Sequence, residues 1–154
     1  MMGKAWIVFM AMALVLTSCA APVQEEATEA GHLTVVGKAG SQEFSLEDIK
    51  ALPSKEVQFE SKETGTLNNY KGAMLRDLLD AAGVDTSALE SVDVEASDGF
   101  FATFDRGLAL AEDVVLVYEM DGGPLPSEMG KVRILAPGQA TKFQVKFVSR
   151  ITVR

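Results

Sequence analysis

A single cysteine, Cys19, serves a chain of 154 residues, and it stands just past an apolar run rather than in the body of the protein. One thiol cannot form an internal disulfide, and it cannot build a site with several thiolate ligands. Whatever this chain folds into is therefore held by a hydrophobic core alone, and its length suits one domain. The composition allows this: 47% of residues are hydrophobic and 23% charged, an ordinary globular balance. One histidine, His32, excludes metal motifs with two histidines, and its place at the edge of the domain argues against a Ser-His-Asp triad. The formal net charge of -8, with no cluster of Lys or Arg, repels phosphate backbones and argues against a nucleic-acid partner.

The start of the chain reads as an address. Lys4 supplies a positive charge, and Ala5 to Leu16 (AWIVFMAMALVL) is an uncharged, mostly apolar stretch. It is well short of the roughly 20 apolar residues that span a bilayer, and it suits the core of a secretory signal. The LTSC that follows, residues 16–19, resembles the lipobox of bacterial lipoproteins. The resemblance implies a signal peptide over residues 1–18, cut before Cys19, and diacylglycerol carried on the Cys19 sulfur. Buried methylenes contribute roughly 0.8 kcal/mol each, so two or three acyl chains hold a protein on a membrane. By the same resemblance Ala20, where an inner-membrane retention signal would have Asp, implies the outer membrane facing the periplasm in a Gram-negative cell. In a Gram-positive cell the place would be the outer face of the cell membrane. Residues 19–31 (CAAPVQEEATEAG) are small and acidic, and read as a lipidated flexible tether to a domain over residues 32–154.

Within that domain the hydrophobic period switches repeatedly between two and 3.6. HLTVVG opens as a strand. FSLEDIKALP is a short helix with Ser45 as its cap, Asp48 completing the capping box, Phe44 and Ile49 forming a staple and Pro53 as its stop. In VQFES, Val57 and Phe59 alternate with polar residues. Met74, Leu75, Leu78, Leu79 and Ala82 share one face of a second helix that Gly83 ends. Val92, Val94 and Ala96 form a strand that turns at Asp98-Gly99, the dipeptide of a two-residue hairpin, into FFATF. DVVLVYEM is apolar almost throughout and reads as a central strand. DGGPLPSEMG is a loop, KVRILA alternates again, and KFQVKFVSRITVR closes the chain. The expected class is α+β: a single domain with a mixed, mostly antiparallel sheet and two or three short helices.

Four of these stretches, in order, resemble the molybdopterin-binding domain of the sulfite oxidase family. They are YKGAMLRDLLDAAGV, ASDGFFATF, DGGPLPSEMGKVRILAP and FQVKFVSRITV. The resemblance implies that fold over most of residues 33–154. In active members molybdenum is held by the pterin dithiolene, oxo groups and one protein cysteine on the strand before the aromatic-x-Gly helix. The matching stretch here is VQFESKETG, with Ser61 at that place to within one residue. A serine hydroxyl is a hard, high-pKa donor where the site uses a soft thiolate. By the same resemblance Lys142 and Lys146 flank the segment near the cofactor, with Lys146 matching the Val-Lys motif.

The expected function is a membrane-anchored, non-catalytic binding module of the sulfite oxidase fold. It would recognise a small anionic ligand or an envelope partner protein, with Ser61, Lys142 and Lys146 as candidate binding residues. No metal ligand and no bound cofactor are expected. The alternatives are a molybdopterin-dependent oxidoreductase or its electron-transfer accessory, and a structural envelope adaptor. Phe100, Phe101, Phe104, Tyr118, Phe143 and Phe147 are expected in the core.

Overall fold

The computed structural model describes residues 32–154. Cys19, the signal segment and the tether lie outside the described residues. The domain is α+β, with ten strands in two five-stranded sheets and three short helices.

The first sheet joins the two ends of the domain. β1 (His32–Gly37) turns at residues 38–39 into β2 (Gly40–Ser45), which pairs with it antiparallel. β10 (Val148–Val153) lies on the other side of β1, parallel to it, and every other pairing described is antiparallel. β5 (Ser91–Ala96) and β6 (Phe101–Asp105) complete the order β2-β1-β10-β5-β6. In the second sheet β3 (Ser54–Glu60) pairs with β4 (Leu67–Met74). β4 in turn pairs with β7 (Val115–Met120), and β7 carries both β8 (Gly123–Pro124) and β9 (Arg133–Leu135). The helices are α1 (Leu46–Ala51), α2 (Leu75–Ala81) and α3 (Arg106–Ala109).

The main core lies between these layers and gathers Leu33, Leu78, Val94, Phe104, Leu116 and Ile151, among others. The second sheet is apolar on both faces. Leu116, Tyr118 and Ile134 point into the main core, while Val115, Val117, Leu135 and Tyr70 form a second cluster on the other side. Leu125 and Met129, from the segment leading through a 3-10 turn (Ser127–Met129), cover that second cluster. This is why DVVLVYEM is apolar almost without interruption: β7 is buried on both faces.

Local signals held where the chemistry was local. The Ser45 hydroxyl accepts from the Asp48 N–H at 3.2 Å, and the Asp48 carboxylate accepts from the Ser45 N–H at 2.8 Å. The bond from the Ser45 hydroxyl holds the Asp48 carboxyl below its usual value, with the backbone bond adding to it. Phe44 and Ile49, on either side of this box, are both buried in the main core. Ser45→Ala is expected to cost about 1 kcal/mol in urea unfolding at unchanged m-value.

Three expectations are corrected. Met74, placed on a helical face by its spacing, is the last residue of β4 and caps α2 in an extended conformation. Asp98-Gly99 does not make a two-residue hairpin. The loop runs over residues 97–100, with the Asp98 carboxylate accepting from the Phe100 N–H at 3.0 Å. A two-residue hairpin does form at Asp121-Gly122, where φ values of 50 and 81 give the two positive angles that a type I′ turn demands. Finally, Phe104 and Tyr118 are core residues and Phe143 and Phe147 pack against the core, but Phe100 and Phe101 are 46% and 65% exposed. Phe100 lies in the overhanging loop, and Phe101 takes an outward position on β6, the edge strand, opposite exposed Glu95.

Candidate functional site

Size alone does not choose the site. Two open depressions on the domain measure about 380 and 500 Å³; the larger is lined by His32, Glu95, Lys131 and Arg150 among others. Neither holds a buried charge. The cavity that does is smaller, about 90 Å³, on the outer face of the second sheet beside Ser61.

At its floor lies Arg133. The sequence KVRILA places Arg133 on the polar side of an alternating strand. In the fold, that side of β9 is the side of Leu135, which faces the second apolar cluster. Arg133 is accordingly only 5% exposed. Its Nη1 donates to the Met129 sulfur at 3.2 Å, while its Nε is buried with no hydrogen-bond partner among the described residues. No carboxylate lies within ion-pairing distance of it among the described residues. Burial pushes the guanidinium down from its ordinary value, and Tyr70 and Glu63 partly oppose this. Arginine stays charged in proteins, so the consequence is a buried cation in want of an anion.

The other walls come from three segments. β3 ends at Glu60 and delivers Ser61 into a tight loop, with the Ser61 N–H donating to the Thr66 carbonyl at 2.9 Å and the Gly65 N–H to the Ser61 carbonyl at 2.6 Å. Lys62 and Glu63 ride on that loop. β4 contributes Tyr70, buried to 1% exposure. The third wall, residues 141–146, is pinned to β9 by Gln144, whose side-chain amide bonds both the Ala136 N–H (2.9 Å) and the Ala136 carbonyl (2.6 Å). The Ile134 N–H donates to the Val145 carbonyl at 2.8 Å, which fixes the next residue, Lys146, at the cavity. The Lys146 ammonium stands 3.7 Å from the Glu63 carboxylate across the mouth. Beyond Ser61 the surface opens into a shallow depression of about 440 Å³ that reaches Gly65, Pro137 and Gly138.

The fold thus brings two of the three candidate binding residues, Ser61 and Lys146, to one cavity. Lys142 does not line it; its ammonium lies 4.9 Å from the centroid of the Phe143 ring. Arg133 was missed because period-two alternation assumes one wet face. The signal available was a lone charge flanked on both sides by apolar residues in VRILA.

The donor set decides what the cavity holds. Around the Arg133 cation, Lys62, Lys146, Tyr70 and Ser61 bring N–H and O–H donors against one carboxylate, Glu63, which faces Lys146, and this set suits an oxyanion. Residues 32–154 contain no cysteine, and among the described residues no group of three or more His, Cys, Asp or Glu side chains is placed to hold a metal ion. A molybdenum centre that takes a protein thiolate does not fit this donor set. Among the described residues no helix is long and apolar enough to cross a membrane.

Comparisons with known proteins agree with the fold. The oxidoreductase molybdopterin binding domain family matches residues 20–154. Mitochondrial sulfite oxidase of Homo sapiens is 29% identical over 167 residues, which cover 86% of this chain and 31% of that protein. The Mus musculus protein is 30% identical over 156 residues, covering 79% of this chain and 29% of its own length. The crystal structure of the sulfane dehydrogenase SoxCD from Paracoccus pantotrophus superposes with a TM-score of 0.68 at 21% identity, over 80% of this chain and 38% of that one. The chain spans under a third of the length of the sulfite oxidases it matches.

Proposed function

The chain belongs to the oxidoreductase molybdopterin binding domain family, and from that premise we propose that it is a non-catalytic binding module of the sulfite oxidase fold, tethered to the cell envelope through lipid on Cys19, which holds a small anionic ligand in the Arg133 cavity. The observation that carries this reading is a buried guanidinium with no carboxylate partner among the described residues, beside a cavity that Lys146 and Ser61 also line. Burial makes a cation without a bonded carboxylate costly to keep, and an incoming anion supplies a partner. The absence of a thiolate from residues 32–154 supports binding without turnover.

Sulfate and phosphate are the direct probes, titrated calorimetrically into the full chain. Wild type is expected to bind at least one of them, less tightly as ionic strength rises. Lys146→Met should weaken binding about tenfold by removing one charged donor. A wild type that takes up neither anion at millimolar concentration would refute the reading. Family membership favours an opposed one, a molybdopterin-dependent oxidoreductase or its electron-transfer accessory. Stoichiometric molybdenum and a fluorescent pterin in protein from its own host would establish that instead. The exposed Phe100 and Phe101 favour a third, an envelope adaptor that docks a partner protein, which co-purification lost on Phe101→Ser would reveal.

A further inference from the structure

Among the described residues Met129 is the one side chain that hydrogen-bonds Arg133, and it does so through a thioether, a weak acceptor. It is also held firmly. Its N–H donates to the Pro126 carbonyl at 2.9 Å, and its carbonyl accepts from the Phe147 N–H at 3.1 Å. The next residue, Gly130, is packed so closely on Phe147 that a Cβ there would lie 2.9 Å from the Phe147 Cα. These contacts fix the Met129 backbone at the wall of the cavity. Met129 is only half-buried and lines the cavity, on the side from which a ligand would enter. Met74 and Met120, the other described methionines, make no hydrogen bond to a charged group.

The geometry points to Met129 as an oxidation site that switches the anion cavity off. This rests on the reading of the cavity given above. A peroxide is the oxidant: the sulfur lone pair takes one oxygen atom, the O–O bond breaks and water leaves. The sulfur loses two electrons and the peroxide gains them. The product is a sulfoxide whose oxygen is a strong, localised acceptor. It forms on the atom that the guanidinium already touches, so Arg133 gains an internal partner and an external anion must compete with it. The change is reversible, because methionine sulfoxide is a substrate for sulfoxide reductases.

The test compares each protein with itself before and after mild hydrogen peroxide, by sulfate and phosphate titration of the full chain, with peptide mass mapping to locate the added oxygen. Wild type should gain 16 Da on the peptide holding Met129 and bind about tenfold more weakly, the worth of one hydrogen bond to a charged group. A sulfoxide reductase should restore it. In Met129→Leu the ratio of affinities before and after treatment should be close to one, whatever its starting affinity. Met129→Gln, which places an amide oxygen near Arg133, should be weak without any oxidant. Unchanged affinity in wild type with Met129 oxidised, or equal loss in Met129→Leu, overturns the switch and leaves the cavity reading intact. A wild type that binds neither anion before treatment removes both.

Discussion

Arg133→Met is expected to abolish sulfate and phosphate binding and, at the same time, to make the domain harder to unfold. The two effects share one cause. The guanidinium is 5% exposed, and among the described residues its Nε has no partner and its only side-chain acceptor is a thioether. Burying a charge so poorly compensated costs several kcal/mol, and replacing buried charge by apolar atoms of similar volume commonly stabilises a protein by about 1–4 kcal/mol. Methionine keeps much of the length of the stem and removes the charge. We expect about 2 kcal/mol of added stability in urea, a rise in Tm of several degrees, and at least a hundredfold loss of anion affinity as two or more charged hydrogen bonds disappear. Arg133→Lys keeps the charge but loses the planar fork, and should bind weakly with little change in stability. The opposite result, a destabilised Arg133→Met that still binds, would make the guanidinium a structural strut and move the ligand elsewhere. A site residue that lowers stability is what a preserved binding role predicts, because the free protein bears a cost that the ligand relieves.

How much of this was legible in the sequence follows the range of the forces involved. Capping boxes, turn residues and alternation act within a few residues. The Ser45–Asp48 box, the inward Val92, Val94 and Ala96 and the apolar β7 could all be read directly. β2 gave no such signal. Its residues, GSQEFS, carry one buried side chain, Phe44, because it is an edge strand held mainly by backbone bonds to β1. β4 was hidden differently, since LNNYKGAM runs straight into a helix with an apolar face and its last residue fits that face by spacing. Nothing local tells the chain to divide into two sheets, or pairs β1 with β10 from the far end of the domain. The candidate site divides along the same line. Ser61 and Lys146 came from the resemblance to a family, which carries tertiary information. Arg133 emerges only once β9 is known to be covered on both faces, and that depends on the segment leading to Met129 folding over the second sheet.

Gly72→Ala should be the most damaging single substitution of the smallest size in this domain, and the reason is space rather than backbone angle. Gly72 lies in β4 between two partners, opposite Lys55 of β3 and Val117 of β7, at the point where the β4–β7 register shifts. A Cβ there would lie 2.2 Å from the Leu116 carbonyl oxygen and 2.5 Å from the Val117 Cα. Both are backbone atoms of a strand buried on two faces, so neither can retreat as a side chain would. Relief requires β4 and β7 to part, breaking ladder bonds and opening both apolar clusters at once. We expect a loss of more than about 4 kcal/mol, a large share of the 5–15 kcal/mol that holds a typical domain together. The variant should be recovered in low yield with an early, broad urea transition. Gly122→Ala is the control. Gly122 has φ 81 and open space around its Cα, so alanine there meets only the left-handed backbone penalty, about 1–2 kcal/mol. If the two variants unfold alike, or Gly72→Ala lies within about 1 kcal/mol of wild type, the close approach of β4 to β7 is wrong. The placement of Tyr70 in the cavity wall would fall with it, because the same strand carries Tyr70 there.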